Sequence, residues 1–346
     1  MTSMCARNRQ HGLSLIELMI AMLIGVFLLA GVLQIFLSAK QSYRVGEGVS
    51  RLQENARFAL ELLTRDIRMS GFQGCASLKG VVPSLIAQPQ SPNPNPTLTV
   101  PSLSAAITGT NNVANNWNAS ACGASNACVA GTDAVTIQFG DTCDGNLTGN
   151  MGVVNANIQI TAANSCNIQA YDPVLISDCS SADLFIATSS SSGTGTQTIA
   201  HANNQNSSNN LSKAYGTDAE LYLFRSFTYF IRTNAGGEPA LWRLDNTKAT
   251  GGANPIELIE GIENLQISYG EDTDNDNTPN YYVAANSVVD MAKVVSVNID
   301  LLTRTLDNNL ASLPLTYIYN DTSTTATDRR IRRAFSSTVG LRNRLQ

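Results

Sequence analysis

Residues 13–37 read LSLIELMIAMLIGVFLLAGVLQIFL. From Leu18 to Leu37 the only strongly polar side chain is Gln34, and twenty residues at about 1.5 Å each make roughly 30 Å of helix, the thickness of a bilayer's hydrocarbon core. A short basic flank with Arg7 and Arg9 precedes the run. Secretory signals have a shorter apolar core with a small-residue cleavage site behind it. Nothing of that kind follows here, so cleavage falls before the run or nowhere. Arg7 and Arg9 on one side face Lys40, Arg44 and Arg51 on the other, and basic residues alone therefore set no orientation.

Glu17 stands at the head of this run, where an ionised side chain near a membrane helix centre costs about 2.5–3.5 kcal/mol. It calls for a partner. A cut after Gly12 would create a free amine at Leu13, one helical turn before Glu17 and on the same helix face. Pairing with that amine, in the same subunit or from a staggered neighbour, offsets the desolvation. An uncut single-pass anchor with an interfacial glutamate is the plain alternative.

The helical pattern continues past the membrane. Val45, Val49, Leu52, Ala56, Ala59, Leu63 and Ile67 recur at spacings of three and four, with Arg51, Glu54, Arg57, Glu61, Arg65 and Asp66 between them. One helix is expected to run to about Gly71, loosened or kinked at Gly46 and Gly48. The division expected is a leader at 1–12, a membrane helix at 13–37, its amphipathic continuation at 38–71 and a β-rich head at 72–346.

Beyond Gly71 the chain is strand-like. Leu221, Leu223, Phe227, Tyr229 and Ile231 alternate, Gly236-Gly237 supplies a turn, and residues 240–244 return as a hairpin partner. Val295, Val297, Ile299 and Leu301 alternate with polar residues, as do Ile331, Phe335 and Val339 near the end. Further strands are expected at 134–139, 157–162, 173–177 and 184–188. The fold class is therefore α+β: a long N-terminal helix packed on an antiparallel sheet. Residues 76–218 form an insertion-rich middle in which 83–101, 111–120 and 189–210, rich in Pro or in Ser, Thr and Asn, read as surface loops.

Charged residues are 14% of the 346, against about 25% in a typical soluble domain, and a net charge of −5 gives no global attraction for nucleic acid. Cys5 lies upstream of the cleavage point, leaving Cys75, Cys122, Cys128, Cys143, Cys166 and Cys179. Outside the cytoplasm this even set reads as disulfides rather than zinc ligands, because no C-x-x-C pair occurs and no His sits among them. The pairing is one of fifteen.

At the residues quoted, the chain resembles the type IV pilins: Arg7 and Arg9, Gly12 at the cut, Leu13-Ser14-Leu15-Ile16-Glu17, then the apolar span. Residues 51–75, 259–270, 294–305 and 329–344 resemble blocks of the PilW-type minor pilins. The resemblance implies cleavage after Gly12 and N-methylation of Leu13 by a prepilin peptidase, with Leu13 departing from the usual Phe, and assembly through Glu17. It implies an inner-membrane subunit with a periplasmic head that moves to the pilus fibre or tip. Its implied partners are other minor pilins, the major pilin, an inner-membrane assembly platform and a PilY-type tip adhesin. The pseudopilins of type II secretion are the nearest alternative, and a tip module binding surfaces or DNA is another.

No enzyme signature is present. A mature chain contains one histidine, His201, in polar low-complexity sequence where solvation is expected, and there is no P-loop, dinucleotide fingerprint or HExxH. Asp272, Asp274, Asp276 and Thr278 occupy positions 1, 3, 5 and 7 of a calcium-type loop and make Ca²⁺ the one candidate cofactor. Asn277 stands at the usual Gly position and Val283 at that of the bidentate Glu, so a solvated acidic turn is the competing reading. Arg329, Arg330, Arg332, Arg333, Arg342 and Arg344 crowd the C-terminus. Most are expected on the exposed face of an edge strand, blocking unwanted pairing, and DNA contact is not favoured.

Overall fold

The computed structural model describes residues 14–91, 93, 100, 103–248 and 254–345. A single helix, Leu15–Met69, opens the fold and runs about 80 Å. It is unbroken through Gly46 and Gly48, contrary to the expected loosening. Its first half, Leu15 to Leu37, is exposed throughout and is long and apolar enough to cross a membrane.

The second half is a spine docked on the head. Gln41 Nε2 donates to Leu310 O (3.0 Å), and Asn55 Nδ2 donates to Glu260 O (3.0 Å). Between them a Cβ at Gly48 would lie 2.7 Å from Leu310 Cδ1. Gly48 thus serves close approach of the head rather than helix bending. Farther along, Leu52, Ala56, Ala59, Leu63 and Ile67 are buried, which is the stripe expected from spacing. The helix ends where Ser70 N–H donates to Ile67 O, and Gly71, at φ +73°, sends the chain into the head.

The strand Glu220–Thr233 organises the larger, eight-stranded sheet. Ala134–Asn146 pairs along one edge of it. Pro173–Asp178 and then Pro239–Asp245 share the other edge. Leu221 and Leu223 enter one core with Phe185 and Tyr215, while Phe227, Tyr229 and Ile231 enter the main core under the spine. A four-stranded antiparallel sheet follows in the order Tyr281–Ala284, Ile262–Glu271, Val294–Arg304, Arg332–Gly340. The two sheets meet at Gly261 (φ +79°), whose N–H donates to Pro239 O and whose carbonyl accepts from Arg304 N–H.

The middle segment differs from expectation. Residues 189–210, read as a surface loop, contain the strands Ser189–Ser192 and Thr196–Ala200, which join Ile158–Thr161 in a three-stranded sheet. Gln197 and Ile199 are buried while their neighbours are half-exposed, so the polar run does alternate. The reason is chemical: Gln197 is buried with its amide satisfied by Ile168 O and the Ser190 hydroxyl, a burial that hydrophobicity does not flag. His201 is likewise buried, with Nε2 2.9 Å from Ala156 O and its ring 5.4 Å from Phe185, not solvated.

Candidate functional site

At the head of the helix Ser14 is the N-cap. The Glu17 N–H donates to Ser14 Oγ (3.2 Å), and Ser14 N–H donates to Glu17 Oε2 (2.9 Å), a reciprocal capping box. Two of the orphan amides of the first turn are satisfied this way. The consequence is directional: the carboxylate folds back over the helix N-terminus. Gly12 and Leu13 themselves lie outside the described residues. Around the carboxylate, Leu15, Ile16, Leu18, Met19 and Ile20 are all exposed, so the charge sits on an open apolar surface.

Two buried carboxylates missed by sequence reading hold the spine and sheets in place. Asp66, on the docked face of the helix, accepts from the Tyr229 hydroxyl and from Arg65 Nε (3.1 Å). Burial, reinforced by the Asp66 charge, pushes the Tyr229 phenol well above its ordinary value, so it stays a donor. Asp133 accepts from Asn112 N–H and Ile267 N–H, both at 2.8 Å, and so ties the two sheets together. Desolvation raises its carboxyl above the usual range. The only sequence signal for Asp66 was its place beside Ile67 on the apolar stripe.

The six cysteines pair as Cys75–Cys179, Cys122–Cys128 and Cys143–Cys166. Cys75 lies just past the helix, and its bridge leads to the turn between Pro173–Asp178 and Ser181–Ile186.

The carboxylates of Asp272, Asp274 and Asp276 lie within 4.8 Å of one another. Asp272 already accepts from the amides of Asn275 (2.6 Å), Asp276 (3.2 Å) and Asn277 (2.9 Å), and Asp276 accepts from Thr278 N–H (2.7 Å). Asn277 takes a positive φ of 69°, the conformation for which a calcium loop uses Gly. Val283, at the twelfth position, lies on the strand Tyr281–Ala284 and offers no side-chain oxygen. Three carboxylates and a Thr278 carbonyl fall short of the six to eight oxygens calcium takes, so the residues fit only part of a calcium shell.

The arginines depart from their expected exposure. Arg332 bonds Glu263 (Nε–Oε2 2.6 Å) and Asp328 (Nη1–Oδ1 2.6 Å), while Arg330 and Arg304 both bond Glu238, at 2.6 and 2.8 Å. Arg344 is buried and donates to Ser104 O and Ala292 O, and burial lowers its guanidinium to about 10. Strand alternation separates the faces of one strand but does not see carboxylates on neighbouring segments. Only Arg329, Arg333 and Arg342 of the six remain exposed.

An exposed apolar helix with a capped glutamate at its head, continuing as a spine into a disulfide-held β head, is consistent with a pilin-like α+β fold. Residues 7–33 match the model of the prokaryotic N-terminal methylation motif, and residues 228–343 match that of the type IV pilus-assembly protein W, PilW. Together the two matches support a PilW-family type IV pilin. They point to a structural, non-enzymatic protein. No curated protein and no solved structure matches the chain.

Proposed function

We propose that this chain is a minor pilin that joins other minor pilins in the complex priming pilus assembly, and that it sits at the pilus tip. Its leader is removed after Gly12, Leu13 becomes the methylated first residue, and residues 13–37 hold the subunit in the inner membrane with the head in the periplasm. Before assembly the Glu17 carboxylate accepts from its own Ser14 amide. On assembly it exchanges that contact for the Leu13 amine of an adjacent subunit, an opposite full charge whose pairing offsets the cost of keeping the carboxylate in the membrane. The inner-membrane platform and the major pilin are the partners this requires, and a PilY-type adhesin is the cargo proposed for the tip.

The observation supporting this reading is the capping box, in which Glu17 Oε2 accepts at 2.9 Å from Ser14 N–H, the amide next in sequence to Leu13. Intact mass and N-terminal sequencing of protein from a piliated host test it. The expected mature form starts at methylated Leu13. Gly12→Ala is expected to remain uncut, and Glu17→Ala to be cut but absent from pili. A Met1 start in every sample would overturn the processing and assembly steps together.

A further inference from the structure

The four-stranded sheet ends on Arg332–Gly340, which pairs along its length with Val294–Arg304 and, among the described residues, with no strand on its other side. The register runs without a bulge from Ser296↔Gly340 to Arg304↔Arg332. Just past its two ends, Leu341 N–H donates to Val295 O (2.8 Å) and Thr305 N–H donates to Ile331 O (2.9 Å). Bonded and non-bonded pairs alternate along an antiparallel ladder. The odd-numbered residues therefore spend their N–H and C=O groups on Val294–Arg304, and Ala334, Ser336 and Thr338 turn theirs to the free edge. All three are exposed.

Sheet edges are ordinarily blunted by shortness, a bulge, proline, lysine or a covering segment. This edge is nine residues long and unbulged, with neither proline nor lysine. The side chains of Ser336 and Thr338 both donate to Asn298 Oδ1 (3.2 and 3.1 Å), which holds them over the sheet and clear of the edge. What guards it is charge at its ends. Residues 329–346 hold six arginines and no carboxylate side chain. Arg330 and Arg332 are spent on Glu238, Glu263 and Asp328, and Arg344 is buried. Exposed Arg333 and Arg329 flank one end and exposed Arg342 the other. Two copies of this edge laid antiparallel would bring the Arg329 and Arg333 end of one beside the Arg342 end of the other, and crowding like charges together is unfavourable. An acidic strand meets the reverse situation.

We propose that the free edge of Arg332–Gly340 accepts an extended, acidic strand from another pilus subunit, by β-strand addition. The inference rests on the pilin reading for the source of that strand. Backbone bonds at Ala334, Ser336 and Thr338 supply the pairing, and Arg329, Arg333 and Arg342 select the sign of the partner's charge.

The test is amide hydrogen exchange on the detergent-extracted pilus complex and on the isolated full chain in the same detergent. Exchange at Ala334, Ser336 and Thr338 is expected to be at least tenfold slower in the complex. Ser336→Pro removes an N–H that the sheet does not use, so this variant is expected to keep its circular dichroism and melting temperature and to lose both complex and slowed exchange. Ser337→Pro removes an N–H bonded within the sheet and is expected to lose the fold, which separates edge effects from misfolding. A photo-crosslinker at Ser336 is expected to join a carboxylate-rich segment of another pilus subunit. Equal exchange in both samples, undiminished complex with Ser336→Pro, or an adduct to a second copy, a basic segment or DNA overturns the proposal. If the chain in that complex begins at Leu13, such a failure leaves the pilin reading standing; an uncut chain in no complex overturns both.

Discussion

Replacing Cys75 and Cys179 by serine isolates the contribution of one crosslink. Their separation is 104 residues, and both positions are exposed, so serine leaves no buried hydroxyl behind. In the chain-entropy description a crosslink closing about 100 residues removes about 4.7 kcal/mol of unfolded-state freedom at 25 °C. The bridges Cys122–Cys128 and Cys143–Cys166 lie inside this loop and shorten it by their own separations of 6 and 23. Because the dependence is logarithmic, the value falls only to about 4.5 kcal/mol. The same relation gives about 3.4 kcal/mol for Cys143–Cys166 and about 2.2 for Cys122–Cys128. Both large cores share the strand Glu220–Thr233, so the head is expected to unfold in one transition. Urea titration of the full chain in detergent, followed by far-ultraviolet circular dichroism, reads the change. A loss below about 1 kcal/mol would refute the chain-entropy account, and the crosslink would then be a passive tie between surfaces already held.

Acid should weaken the head through Asp178 and Asp328. Burial pushes the Asp178 carboxyl up, but Lys213, Ser180 and Ser181 outweigh it and hold it at about 2, while Arg332 foremost holds Asp328 at about 2. Both folded values lie below the ordinary 3.8, so their stabilisation is present above pH 4 and lost as pH falls through about 2. Each contributes roughly 2 kcal/mol at most, less for the partly exposed Asp328. Asp133, raised by burial, works in the opposite sense. Urea midpoints at pH 7, 4 and 2.5 are expected to fall, with a shallower fall in Asp178→Asn. Asp66→Ala should cost about 3 kcal/mol by stranding the buried Tyr229 hydroxyl, and a double-mutant cycle with Tyr229→Phe should show the two losses to be less than additive. Gly46→Ala meets nothing within 4 Å and should stabilise by up to about 1 kcal/mol. Gly48→Ala meets Leu310 and should lose that gain in the same melting experiment.

The helix was legible because both its signals are local: an apolar run of membrane length, then an apolar stripe with a 3.6-residue period. The strands at 220–233 and 294–304 were legible for the same reason, since alternation of Val, Ile, Leu and aromatic residues contrasts strongly with their neighbours. Thr196–Ala200 lacked that contrast. Its buried Gln197 is satisfied by hydrogen bonds rather than marked by hydrophobicity. Asp66 and Asp133 escaped because their partners Tyr229 and Ile267 lie 163 and 134 positions away. Arg330 and Arg332 looked solvated for a related reason, as Glu238 lies in a distant turn and Glu263 on another strand. Glu17 stood out as the one carboxylate at the head of an apolar run, whereas its capping partner Ser14 was not singled out from sequence. Disulfide pairing is combinatorial until the fold brings the sulfurs together.

The bridge from Cys75 to Cys179 also fixes where tension travels. A pull on the spine reaches Cys75 six residues past the end of the helix and crosses covalently to the hairpin Pro173–Ser181, which is hydrogen-bonded to Glu220–Thr233. The chain between the two cysteines is a side branch off that path. That branch, about 350 Å in contour, therefore carries no load along its covalent backbone while the bridge is intact.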